Sequence, residues 1–157
     1  MISDIHQILR RAFASQVCVV SSRSKDGLVR AVPINTLTSV SLEPSIVSIS
    51  LYSHGRMHQL ISQTRQMDVF LLRYSQTTML DELKIADSSA NFQSILDRLL
   101  LESNAHLECS VCKSVEISDH TVIFAEVNSG LLREEEESAT DGPLVHFRQS
   151  YHSINVF

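Results

Sequence analysis

The chain has 157 residues, 43% of them apolar and 20% charged, with 13 Lys and Arg against 18 Asp and Glu for a formal net charge of −5. An acidic balance with scattered cations excludes the clustered basic footprint that nucleic-acid binding needs, and no run reaches the ~20 apolar residues of a membrane-spanning helix. The length suits one domain over residues 1–157, and neither a repeat nor a Gly-, Pro- or Ser-rich linker divides it.

In MISDIHQILRRAF, the apolar residues Ile5, Ile8, Leu9, Ala12 and Phe13 recur at helical spacing and predict an amphipathic helix over 3–14, with Ser3-Asp4 as its cap. The stretch has neither the continuous apolar run nor the small-residue cleavage site of a secretory leader. With three cysteines, an odd number, this points to a reducing cytoplasm.

QVCVVSSRSKDGLVRAVPINTL reads as two strands joined at Lys25-Asp26-Gly27, where Asp-Gly supplies the positive φ of a tight turn. VPINTLTSVSLEPSIVSISL, residues 32–51, predicts two strands hinged at Glu43-Pro44, with SIVSISLY as the second. A turn needs two or three polar residues, so the hydroxyls Thr36, Thr38, Ser39, Ser41 and Ser45 exceed what the turn requires. After Ser53-His54-Gly55-Arg56, MHQLISQ is helical. MDVFLLRY, residues 67–74, is a mostly apolar strand suited to burial on both faces.

From Ser75 to Ser103 the spacing of Leu80, Leu83, Phe92, Ile95, Leu96, Leu99 and Leu100 predicts one or two helices, with a break at Asp87-Ser-Ser. HLECSVCKSVEIS and HTVIFAEVNSGLLREE form a long hairpin turning at Ser118-Asp119. Cys109-Ser-Val-Cys112 has redox or zinc-knuckle spacing. Residues three apart on a strand face opposite ways, however, so these thiols share neither a metal nor a disulfide. The acidic run Glu134–Glu137 reads as a solvated loop, and PLVHFRQSYHSI as one last short strand. Six or more strands with short helices indicate an antiparallel barrel or sandwich with helical excursions.

Taken together, FASQVCVVSSRSKDGLVRAVPINTLTSVSLEPSIVSISL, the Ser-His-Gly-Arg turn, AHLECSV, SDHTVIFAEV and PLVHFRQSY resemble the successive signatures of the short-chain flavin reductases. The resemblance runs over most of the chain and is weakest between Tyr74 and Asn104. It implies a mainly β fold, the FMN-binding split β-barrel, antiparallel and Greek-key with a few short helices. It also implies a homodimer that binds FMN or FAD, takes hydride from NADH or NADPH, and hands reduced flavin to a partner monooxygenase.

The resemblance gives the hydroxyl run a purpose. Asn35 and Thr36 are expected at the isoalloxazine edge and Thr38, Ser39 and Val40 at the ring or ribityl chain, because short hydroxyls and backbone N–H groups let a ring approach closely. Ser53 and Arg56 are expected on the flavin phosphate, at a strand-to-helix turn whose N–H groups suit an anion. His120 is expected beside the flavin as the proton-handling group, since an imidazole exchanges protons near neutrality. Arg148 and Tyr151 are expected to border the nicotinamide or flavin pocket.

The sequence departs from the family pattern at several points. Gln16 and Ser118 stand where Gly is usual, Met57 where a hydroxyl is common, Phe70 where Asn is frequent and Ala125 where Gly recurs. Met57, Phe70 and Ser118 motivate a rival reading, a flavin-binding carrier or storage protein without nicotinamide-dependent turnover; a third reading is a dimeric scaffold that has lost flavin. No GxGxxG is present, so no Rossmann unit is expected. His6, His58, His106, His146 and His152 lack metal-ligand spacing along the chain, and no metal is expected.

Overall fold

The computed structural model describes residues 5–86, 89–133 and 141–154; the Ser3-Asp4 cap, most of the predicted Asp87-Ser-Ser break and the Glu134–Glu137 loop lie outside these. In chain order the elements are α1 (Ile5–Arg11), β1 (Ser15–Gln16), β2 (Cys18–Arg23), β3 (Val29–Ile34), β4 (Thr38–Leu42) and β5 (Ser45–Tyr52). There follow α2 (Arg56–Thr64), β6 (Gln66–Leu71), a 3-10 turn at Tyr74–Gln76, α3 (Thr77–Ile85) and α4 (Ser89–Glu102). The chain ends with β7 (Ala105–Ile117), β8 (His120–Leu132), β9 (Leu144–Phe147) and β10 (Ser150–Ser153).

Seven strands pair antiparallel in the order β3-β2-β6-β7-β8-β5-β4, and a second, three-stranded sheet runs β1-β9-β10. The larger sheet keeps β3 and β4 as its edges, so the barrel is split rather than closed. Strand periodicity explains its two cores. Cys18, Val20, Val47, Ile49, Val69, Val111 and Ile123 point to one face, where they pack against Met57 and Ile61 of α2. Val19, Val29, Ala31 and Phe70 point to the other, beneath Met79, Leu80 and Leu83 of α3 and Phe92, Ile95, Leu96 and Leu99 of α4.

Gly27 takes φ +90° in the β2–β3 turn, as Asp-Gly predicts. The long hairpin reverses at Ser118-Asp119, where Ser118 takes φ +57° at the first loop position, a conformation glycine adopts more readily. That is a physical reason for glycine to be usual there. Cys109 is buried, Cys112 exposed and all three cysteines free, as the strand argument requires.

Two predicted elements differ. The strand expected over 67–74 stops at Leu71, because Leu72 turns to bond the other sheet: its carbonyl accepts from the Leu144 N–H at 2.9 Å, and Arg73 bridges Pro143. The last strand expected over 143–154 is a hairpin, β9 and β10, reversing through Arg148 at φ +51° and Gln149 at φ +66°. Neither residue is Gly or Asn, the usual signals for such a turn, so the sequence conceals it.

Phe70 is buried under the helices with its ring stacked on His106, so the position where Asn is frequent serves core packing here. Met57 likewise sits in the core and seats the first turn of α2. Helix α1 is amphipathic as predicted, yet its apolar stripe lies open, with Ile5 70% and Leu9 56% exposed.

Candidate functional site

The ends of β3 and β5 and the starts of α2 and β8 meet around a cleft of about 480 Å³, within the ordinary range for small-molecule sites. Asn35, Thr36, Arg56 and His120, four of the predicted site residues, line it together. Register brings them there. β5 pairs with β8 so that Tyr52 faces His120, which places the strand-to-helix turn beside the hairpin tip.

The turn is built closely. Gly55 donates its N–H to the Tyr52 carbonyl at 2.9 Å, and a Cβ at Gly55 would lie 3.0 Å from that oxygen. Gly55 is also the N-cap of α2 and has no side chain to bond the first-turn N–H groups. An uncapped helix start carries partial positive charge and free donors. Arg56, exposed on the same rim, adds a full charge.

Ser53 is engaged within the protein. Its hydroxyl lies 2.8 Å from that of Thr121, and its N–H donates to the Asp119 carbonyl at 2.9 Å. Ser53 therefore ties the 53–55 turn to the hairpin tip, and it is not among the residues that line the cleft.

His120 is held by its neighbours. Its Nδ1 lies 2.9 Å from Asp119 Oδ1, and Tyr52 meets its ring edge-on with centroids 6.0 Å apart. The hydrogen bond from His120 keeps the Asp119 carboxyl below the ordinary carboxylate range. An anion at Nδ1 fixes the ring and leaves Nε2 as the nitrogen available for proton exchange.

Asn35 sits in the bend after β3 and donates from Nδ2 to Ser15 Oγ at 3.1 Å. Thr36 Oγ1 accepts from the Ser50 N–H and donates to the Ser50 carbonyl, both at 3.0 Å, pinning the loop to β5. Thr38, Ser39 and Val40 stand exposed on edge strand β4, with a bulge between Ser39 and Ser41, and do not line the cleft. Arg148 lies at the β9–β10 turn with its guanidinium 5.2 Å above the Phe147 ring. Tyr151 lines a neighbouring recess with His146, and Asn35 borders both spaces.

Sequence reasoning missed Arg30, Tyr52, His58 and Phe92, which also line the cleft. The alternation Val29-Arg30-Ala31 carried a signal for Arg30, since its neighbours face the helices. His58 Nδ1 is buried without a hydrogen-bond partner, a feature no spacing rule reveals.

Comparison with known proteins agrees with this arrangement. The NADH-dependent flavin reductase StyB of Pseudomonas fluorescens is 32% identical over 145 residues, covering 89% of this chain and 83% of the relative. The styrene monooxygenase flavin reductase SMOB from Pseudomonas putida S12 superposes with a TM-score of 0.77 at 27% identity, covering 98% of this chain and 99% of the other. The NADH:FAD oxidoreductase SgcE6 of Streptomyces globisporus C-1027 shares the fold, with a TM-score of 0.81 at 19% identity over 100% of this chain and 93% of the other. The flavin reductase like domain matches residues 9–155, nearly the full length of the chain, which therefore belongs to that family.

Proposed function

We propose that the chain is an NAD(P)H:flavin oxidoreductase that reduces FMN or FAD and supplies the reduced flavin to a partner monooxygenase. The observation that carries this reading is the convergence of Asn35, Arg56 and His120 on one cleft at the uncapped start of α2. The names of StyB and SMOB, a flavin reductase and the reductase of a monooxygenase system, support the reaction class.

The residues present fit a flavin. The free first-turn N–H groups of α2 and the Arg56 guanidinium suit its phosphate, and Asn35 with the loop backbone suits the ring edge. Ser53 contributes by fixing that turn through Thr121. In this reading the flavin extends from the cleft along the exposed run Thr38, Ser39 and Val40, while Arg148 and Tyr151 flank the nicotinamide side. When bound, the flavin supplies the hydride acceptor opposite a reduced nicotinamide. His120, oriented by Asp119, holds a proton at Nε2, and Tyr52 packs against its ring to limit its motion.

A second copy of the chain completes the site in this reading, giving a homodimer. Among the described residues the outer edge of β4 has no strand partner, Val40 is 49% and Leu42 81% exposed, and the stripe of α1 is open. Sedimentation equilibrium is expected to give a dimer at micromolar concentration; a monomer counts against this part. We further read residues 1–157 as one domain working in a reducing cytoplasm. The three free cysteines are consistent with that compartment, and no helix among the described residues is long and apolar enough to cross a membrane.

The deciding experiment is anaerobic stopped-flow of the protein with FMN or FAD against NADH and then NADPH. Saturable bleaching of the flavin is expected, and the donor that bleaches faster is the physiological one. Flavin that binds yet stays oxidised with both donors would favour the carrier or storage reading instead.

A further inference from the structure

On the sheet face covered by α4, in a recess beside Gln93, Leu96 and Leu100, three ligand-type side chains meet that no spacing along the chain connects. Asp68 on β6 stands directly across from Glu108 on β7, and His106, two residues before Glu108, points to the same face. His106 Nε2 lies 2.9 Å from Asp68 Oδ1, and one ligand atom from each of the three residues falls within 4.8 Å of the others.

The arrangement is a charge problem as well as a cluster. Like charges directly opposite on neighbouring strands destabilise a sheet. Among the described residues no Lys or Arg forms an ion pair with Asp68 or Glu108. Arg23 lines the same recess but donates to Gln93 Oε1.

The geometry is also prepared for a ligand role. The His106 ring is stacked on the buried Phe70, with centroids 4.6 Å apart and planes within 6°, which fixes where Nε2 points. Glu108 Oε2 accepts from the Ser129 hydroxyl at 2.6 Å, which orients that carboxylate. Metal–ligand bonds of about 2.0–2.2 Å put neighbouring ligand atoms about 3–3.5 Å apart, so the His106–Asp68 separation needs little adjustment.

We infer that Asp68, His106 and Glu108 form a binding site for a first-row divalent cation of the zinc type, clamping β6 to β7 outside the flavin cleft. One imidazole and two carboxylates are a donor set for zinc, cobalt or nickel rather than for magnesium or calcium, which take oxygen alone. Water from the recess completes the coordination. The cation neutralises the carboxylate pair and takes the place of the direct His106–Asp68 contact.

The test uses the full chain, freed of metal with a chelator and titrated with Zn²⁺ by calorimetry and with Co²⁺ by visible absorption. About one ion per chain is expected, together with a Co²⁺ spectrum of mixed nitrogen and oxygen ligation and a rise in melting temperature with Zn²⁺. Asp68→Asn and Glu108→Gln keep the side-chain shapes and the Phe70–His106 stack. Each is expected to weaken binding by more than the 10- to 100-fold that loss of a mere supporting partner brings, and to abolish the thermal shift. Absence of uptake would overturn the inference. Binding that persists unchanged in both variants would overturn it too, placing the ion elsewhere, for instance among His54, His58 and His120.

Discussion

The two faces of the larger sheet are closed by different means, and the contrast separates what holds the fold from what serves the chemistry. On one face α3 and α4 cover Val19, Val29 and Phe70 along their length, and Leu80 and Leu99 are wholly buried between. On the other, the nine-residue helix α2 fills the barrel with Met57 and Ile61, and its start leaves a cleft at the strand ends. Successive residues of one strand thus answer to different demands: Val29 packs under the helices, Arg30 lines the cleft, and Ala31 belongs to both. Side chains confined to the helix-packed core, such as Val29 and Phe70, answer for stability, whereas Ala31 and Phe92 sit where that core meets the cleft.

The largest expected effect tests the packed face. Phe70→Ala should cost about 3–5 kcal/mol, measured by urea unfolding, while turnover per folded molecule stays within a few-fold. Equal losses of stability and turnover would break the contrast. On the cleft face, His120→Ala should lower the rate of flavin reduction by about 100-fold or more while moving the unfolding midpoint far less than Phe70→Ala does. Arg56→Ala should raise the apparent KM for FMN about tenfold, as expected for one charge-assisted hydrogen bond, and do little to riboflavin, which lacks the phosphate.

Smaller effects sharpen the picture at the hairpin tip. Ser118→Gly relieves the positive φ and should add about 0.5–1 kcal/mol of stability. Asp119, whose carboxyl is held low by His120, should titrate below the ordinary value of about 3.9 in an NMR pH series. Because that value is depressed, the contact stabilises above the unfolded-state value and is lost as pH falls through the folded one. His120→Ala should return Asp119 to the ordinary range.

Strands whose register depends on local pattern were legible in the sequence. The β2–β3 hairpin, β5 and the β7–β8 hairpin appear where alternation and turn residues put them. The β9–β10 turn was not, because Arg148 and Gln149 take positive φ without a sequence mark. The family resemblance anticipated Asn35, Thr36, Arg56 and His120 at one place, and the β5–β8 register brings them together. Ser53 shows the limit: its residue type suits a phosphate donor, and only coordinates reveal that its hydroxyl also fastens two loops. Asp68, His106 and Glu108 were invisible for a related reason. Their neighbourhood is made by strand pairing, which no interval along the chain records.

The fastening of Ser53 to both Thr121 and Asp119 also bears on how such a chain can diverge. Lengthening either turn by one residue would break two bonds at once and swing the helix start away from the imidazole. Neither loop can drift in length unless the other changes with it. The β2–β3 turn around Gly27, where an added Cβ meets nothing within 4 Å, is bonded only within itself among the described residues, through Ser24 to Asp26 and Leu28, so a change in its length leaves other loops in place.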